Sequence, residues 1–235
     1  MRTYRLEIRL IQAATALALI VLITGFLGLW GQVDQPSGAK AGAGETRETT
    51  SVQTQTPSNS KIVALGDSFT LGYPLDTAHS WTQRLADDLK IRVVNKGKGG
   101  QTSKDLLARF DADVVSEKPG RVIIFVGTGD ALQSVPLKDF QANVETMIEK
   151  AKANNIIPIV ALPIWYPNYQ KGIQEIRDWE IDYAKKQSIT TLDFTTVLFD
   201  SSQKYLTGLA SDNGKYPNAK GYEKMGDYAA NLLKT

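Results

Sequence analysis

The 235-residue sequence contains no cysteine and a single histidine, His79. The first absence excludes disulfides, thiolate metal sites, a cysteine nucleophile and a lipid-modified cysteine, and it leaves the redox compartment open. The second leaves a metal site short of ligands, because one histidine without clustered acids cannot complete a coordination shell. Net charge is scarce as well: 27 lysines and arginines against 25 acids give +2. Those charges are interspersed rather than gathered into a basic stripe, which argues against a nucleic-acid partner. Nothing in the composition fixes an oligomeric state.

What is present begins with the amino terminus. Arg2, Arg5 and Arg9 precede an uncharged stretch over residues 10–33 whose apolar heart runs from Ala13 to Trp30. About 20 apolar residues cross a bilayer as a helix, whereas the apolar core of a signal peptide has about 7–15. The reading is a short cytoplasmic segment over residues 1–9 and a membrane anchor over 10–33, making the membrane a partner of the chain. The alternative is a cleaved signal peptide, for which Ala39, Ala41 and Ala43 supply small residues. In both cases the arginines stay inside and the remainder is exported. Residues 34–60 are Gly, Ala, Ser, Thr, Gln and Pro with almost nothing large and apolar. Such a segment cannot bury enough surface to offset its ordering entropy, so a flexible tether is expected before a domain spanning 61–235.

Within that domain, short apolar runs alternate with segments of helical periodicity. Runs at 62–65, 91–95, 121–126, 156–162 and 189–194 read as strands. Helices are expected over 80–89, after Thr102, over 137–153 and 173–187, and from Pro217 or just beyond it to the end. Five such alternations with near-continuous apolar strands indicate a parallel sheet covered by helices on both faces. Polar and glycine-rich turns follow the strands, so they meet at the carboxyl edge of the sheet, where open α/β folds bind ligands.

The first of these turns, KIVALGDSFTLG over residues 61–72, is the most informative. A β-branched run breaks at Gly66 and delivers Asp67 and Ser68 just ahead of a helix. Ser68 is placed where a nucleophile would be useful. The plainer account is that Asp67 and Ser68 only cap the helix.

Taken with three further segments, this turn resembles the SGNH, or GDSL, hydrolase family of esterases and lipases. GDSFTLG over 66–72 resembles its block I. NKGKGGQTS, with Gly100 near its end, resembles block II, whose glycine N–H contributes to the oxyanion hole. GTGD over 127–130 lies at the block III position, normally GxND, and YPNAKGYEKMGDYAANLL from Tyr216 resembles the segment that follows block V. The resemblance covers residues 61–235 and implies a three-layer α/β/α, flavodoxin-like fold with a five-stranded parallel sheet. It also implies no cofactor, and an acyl ester, small or polymeric, as substrate.

By that resemblance Ser68 would attack the acyl carbonyl while a block V histidine took its proton, oriented by an aspartate three residues earlier. Here the histidine position holds Tyr216 and the aspartate position Asn213, with Asp212 one residue out of register. The asparagine that would donate to the oxyanion is replaced by Gly129, leaving Ser68 and Gly100 as the oxyanion donors. Loss of a triad base costs on the order of 10⁶ in turnover, and one oxyanion donor costs about 3–4 kcal/mol. Substitute bases in the sequence are Lys215, Lys96 and Lys98, while His79 lies on a loop rim. Asp67, Trp165 and Tyr166 are candidates for substrate contact, the aromatic pair as a platform for a sugar or acyl group or as ordinary packing. Two functions are therefore expected: a weak, unconventional ester hydrolase outside the cell, or a degenerate domain that binds the ligand without turnover.

Overall fold

The computed structural model describes residues 56–234. The anchor stretch 10–33 and nearly all of the tether 34–60 lie outside the described residues. No helix among the described residues is long and apolar enough to cross a membrane. From Asn59 onward the chain is tied to the domain. The Asn59 side chain donates to Lys118 O at 3.1 Å and accepts from Gly120 N at 3.0 Å.

Five strands form one wholly parallel sheet: β1 (Ile62–Gly66), β2 (Val93–Gly97), β3 (Arg121–Phe125), β4 (Ile157–Ala161) and β5 (Thr190–Leu192), in the order β2-β1-β3-β4-β5. The expected five-stranded, helix-covered parallel sheet is what the chain forms. Nine helices among the described residues fill the connections: α1 (Ser68–Leu71), α2 (Trp81–Leu89), α3 (Ser103–Ala108), α4 (Phe110–Asp113), α5 (Thr128–Leu132), α6 (Leu137–Ala153), α7 (Gln170–Gln187), α8 (Thr195–Leu198) and α9 (Ala219–Leu233).

The inner strands β1, β3 and β4 are almost wholly apolar because both faces of the sheet are covered there. Side chains alternate between two cores with the period of two that a strand imposes. Ile62 and Ala64, Ile123 and Phe125, and Ile159 and Ala161 face one side, where α2 and α9 contribute Trp81, Leu85, Tyr222 and Met225. Val63 and Leu65, Val122 and Ile124, and Val160 face the other, against Leu106, Phe110, Phe140, Val144 and Met147 of α3, α4 and α6. The stripe Phe140–Val144–Met147–Ile148 is buried as its helical spacing requires. Helix starts follow side-chain chemistry: Ser80 caps α2 by accepting from Thr82 N, and Asn218 caps α9 by accepting from Gly221 N. The last helix thus begins two residues beyond Pro217, which precedes the cap.

With β1 at the point where strand order reverses, the turns after β1 and β3 open side by side at the carboxyl edge. This places residues 66–72 and 127–132 next to one another and next to the loop that follows β2.

Candidate active site

Ser68 is the first residue of α1, two positions past the end of β1. Asp67 caps that helix through Oδ1, which accepts from Phe69 N at 2.9 Å. The capping account therefore holds for Asp67, and it leaves Ser68 Oγ uncommitted. Ser68 is half-buried, and among the described residues its hydroxyl has no hydrogen-bond partner.

Two polar side chains hold this corner in place, one of them, Asn95, the first residue of the NKGKGGQTS segment. Asn95 of β2 donates to Thr70 O at 2.6 Å and to Thr82 Oγ1 at 2.8 Å, fixing α1 to the neighbouring strand and to α2. Arg109 gathers the strand ends: it donates to Gly66 O at 3.0 Å, Lys96 O at 2.8 Å and Gln101 Oε1 at 2.7 Å, and pairs with Asp113 at 2.6 Å. Lys96 and Lys98 face the same acid, at 3.6 and 3.8 Å. Their ammonium groups are committed on the outer edge of the sheet.

On the oxyanion side, Gly100 is exposed and takes φ +73°, a conformation that favours glycine. Its carbonyl accepts from Gln133 Nε2 at 3.1 Å, while among the described residues its N–H is unengaged. A free amide beside Ser68's own turn is what an oxyanion hole requires. Gly129 is different. A Cβ there would lie 2.1 Å from Gln101 O, so the loop after β2 has closed over the volume that a side chain would need. The missing asparagine is a change of backbone packing as well as of one residue.

On the base side, Tyr216 is half-buried in a cage of rings. Its centroid is 5.1 Å from Phe69, 4.8 Å from Tyr73 and 5.8 Å from Tyr166, the last two meeting it edge-on. The contact with Phe69, the residue after Ser68, brings the tyrosine to the nucleophile's helix. Asn213 does not orient it: its Oδ1 accepts from Ser211 Oγ at 2.9 Å and from Lys215 N at 3.0 Å, inside its own turn. Asp212 and Lys215 are exposed, and among the described residues their charged groups have no partners. His79 is also exposed, bonded to Asp76 at 2.7 Å beyond α1. The structure thus brings Tyr216 to the helix that Ser68 opens and Gly129 to the loop that carries Gly100, and it sets Lys96, Lys98 and His79 against carboxylates.

The loop after β4 supplies a wall of the same edge. Trp165 and Tyr166 line a cavity of about 290 Å³, with Tyr166 between that cavity and Tyr216. Burial, with the Tyr216 hydroxyl alongside, pushes the Tyr166 phenol above its ordinary value, so it is a hydrogen-bond donor at neutral pH. Trp165 rests on the guanidinium of Arg177, 4.9 Å from the ring centroid. Arg177 is only 5 % exposed and donates to Pro163 O at 2.9 Å and Asp193 Oδ2 at 2.8 Å, tying together the loops after β4 and β5. Trp179 and Tyr183, by contrast, stack on each other at 5.0 Å along α7, where Trp179 meets Phe140 of α6 edge-on.

Beneath the edge lie three buried carboxyls. Burial raises Asp67 to about 7, and the charge of Asp130 adds to the effect. Burial likewise raises Asp130, which accepts from Ser103 Oγ at 2.6 Å and from Ser103 N at 2.9 Å. Glu180 has no hydrogen-bond partner, and burial raises it well above the carboxylate range against the pull of Arg177. The roles of Asn95, Arg109, Asp130 and Arg177 escape motif reading. A signal for Arg177 and Glu180 does exist, since both fall on the stripe Ile173–Ile176–Ala184 that α7 buries.

Comparison with known proteins places this geometry. Residues 64–224 match the model of the GDSL-like lipase/acylhydrolase family. The solved structure of a Desulfitobacterium hafniense DCB-2 protein assigned to the G-D-S-L family of lipolytic proteins is 54 % identical. It superposes with a TM-score of 0.74, over 74 % of this chain and 100 % of that one. Esterase TesA of Pseudomonas aeruginosa is 32 % identical over 132 residues, covering 52 % of this chain and 66 % of TesA, just under two thirds of its length. An arylesterase of Vibrio mimicus is 26 % identical over 182 residues, covering 74 % of this chain and 88 % of that protein.

Proposed function

The chain belongs to the GDSL-like lipase/acylhydrolase family, and from that premise we propose that its domain is an ester-hydrolase-like protein that takes an acyl or acetyl ester at Ser68 and turns it over weakly. The observation that carries this reading is a Ser68 hydroxyl and a Gly100 amide, both unengaged among the described residues, on turns that follow the adjacent strands β1 and β2. Together they supply a nucleophile and an oxyanion donor. The ester carbonyl would lie over the start of α1, its oxygen toward the Gly100 and Ser68 amides.

Weakness follows from what surrounds the pair. Tyr216 fills the base position with a phenol, which is a poorer general base than the imidazole it replaces. The volume for a second side-chain donor is closed by Gln101 O. These same two features favour a second reading, in which the site binds the ester without cutting it. Hydrolysis of a short-chain aryl ester by the full chain, beside its Ser68→Ala variant, separates the two. A rate that collapses in the variant, with fluorophosphonate labelling lost in parallel, supports turnover. Equal background rates in two folded proteins refute it and leave the binding reading.

We further propose that residues 10–33 anchor the chain in a membrane with the domain outside the cytoplasm, on the strength of that apolar stretch and the arginines before it. Release from membranes without detergent, with those residues still attached, would overturn the anchor.

A further inference from the structure

We propose that the cavity beside Tyr166 is a subsite for one pyranose ring, so that the ester presented to Ser68 is carried by a glycan. This rests on the ester-site reading above and narrows it to a substrate class. The cavity is floored and walled by rings: Trp165, Tyr166, Phe199 and Tyr205. Its remaining apolar lining is Pro167 and Ala210, and among the described residues no Leu, Ile, Val or Met lines it. Aromatic faces carry partial negative charge and suit the polarised C–H face of a sugar.

The rim supplies the other half of sugar recognition. Gln170, Gln203 and Lys204 reach the cavity mouth, and among the described residues none of their side-chain polar groups is engaged. Two free amides and an ammonium offer donors and acceptors to hydroxyl groups, as specific small-molecule sites do around an apolar body. At about 290 Å³ the space is at the small end for a ligand pocket and suits a single ring. The floor is rigid before any ligand arrives, because the buried Arg177 holds Trp165 from beneath and bonds to Asp193. Preorganisation of this kind spares the ordering cost of binding.

The cavity connects to the nucleophile's turn through two ring contacts. Tyr166 lines it and meets Tyr216 at 5.8 Å, and Tyr216 meets Phe69, the neighbour of Ser68, at 5.1 Å. A ring seated there can present an ester from its own hydroxyl, or from that of the next residue in a chain, across the top of Tyr216.

The test is calorimetric titration of the full chain, held in a polyoxyethylene detergent that carries no sugar, with chitotetraose, xylotetraose and hexanoate. At least one oligosaccharide is expected to bind more tightly than hexanoate. A Gln170→Ala/Gln203→Ala double variant, changed only at the rim, should weaken that binding about fivefold or more, the loss of roughly one net hydrogen bond. The Tyr166→Ala variant should weaken it further. Failure of both oligosaccharides to bind, preference for hexanoate, or binding unchanged in the double variant would each overturn the proposal. Because the readout is heat of binding, sugar binding without Ser68-dependent hydrolysis leaves the subsite standing and removes turnover. Ser68-dependent hydrolysis of an aryl ester without sugar binding does the reverse.

Discussion

Replacing Asp67 with asparagine should stabilise the domain at neutral and alkaline pH, although Asp67 caps α1 and adjoins the nucleophile. In the folded domain the carboxyl is 3 % exposed, and its pKa is raised from 3.8 to about 7, chiefly by burial and then by the charge of Asp130. The folded state therefore holds this proton more tightly than the unfolded chain. As pH climbs from 3.8 to about 7 the proton is lost at the expense of the folded state, so stability falls across that window and stays reduced above it. A separation of that size corresponds to about 4 kcal/mol. Asparagine keeps an oxygen that can accept from Phe69 N and ranks with aspartate as a cap, so the helix start is preserved while the charge is removed. Asp130 and Glu180 are present in both proteins and cancel in the comparison, apart from the relief of Asp130, which acts in the same direction. Urea denaturation followed by circular dichroism from about pH 4 to about pH 8 measures the difference. The two proteins should be close to equal at the acid end, with Asp67→Asn the more stable at the alkaline end. An asparagine variant equal to or less stable than the parent at about pH 8 would refute the assignment of a desolvated charge to this position.

Gly129→Ala should cost about 1–3 kcal/mol or more, as overpacking does, because its Cβ would lie 2.1 Å from the main-chain oxygen of Gln101. An unchanged denaturation midpoint would show that the loop after β2 yields freely. The double variant Tyr216→His/Asn213→Asp should raise Ser68-dependent hydrolysis of an aryl ester, yet leave it about 10²–10³ short of a site with a full set of oxyanion donors. No gain at all would place the defect elsewhere in the pocket.

The layered sheet was legible because strands buried on both faces must be apolar, and 62–65 and 122–126 are written that way. The same alternation put the turns after β1, β2 and β3 at the carboxyl edge, whereas Tyr216, which follows no strand directly, was reached only through the family resemblance. Strand β2 was harder: the apolar run at 91–95 pairs only from Val93 and continues through Asn95 to Gly97, because this edge strand is half-exposed and its polar residues bond to α1 and α2. The cage around Tyr216 was not legible either. Phe69, Tyr73 and Tyr166 lie up to 150 residues away in the chain, and no local pattern announces that they converge. Nor could a single glycine in GTGD reveal that Gln101 O had taken the place of a side chain, since that is a property of two loops at once.

The contact between Gly129 and Gln101 makes the effects of substitutions at this edge depend on their order. An asparagine introduced at 129 meets a backbone oxygen rather than empty space, so by itself it should cost stability before it can donate to anything. Only after the loop carrying Gly100 and Gln101 has moved could that side chain do chemistry, and moving the loop displaces the Gly100 amide proposed as the donor. Residues sharing such a contact do not contribute additively. For this site, a donor gained on one side of the oxyanion is a donor put at risk on the other.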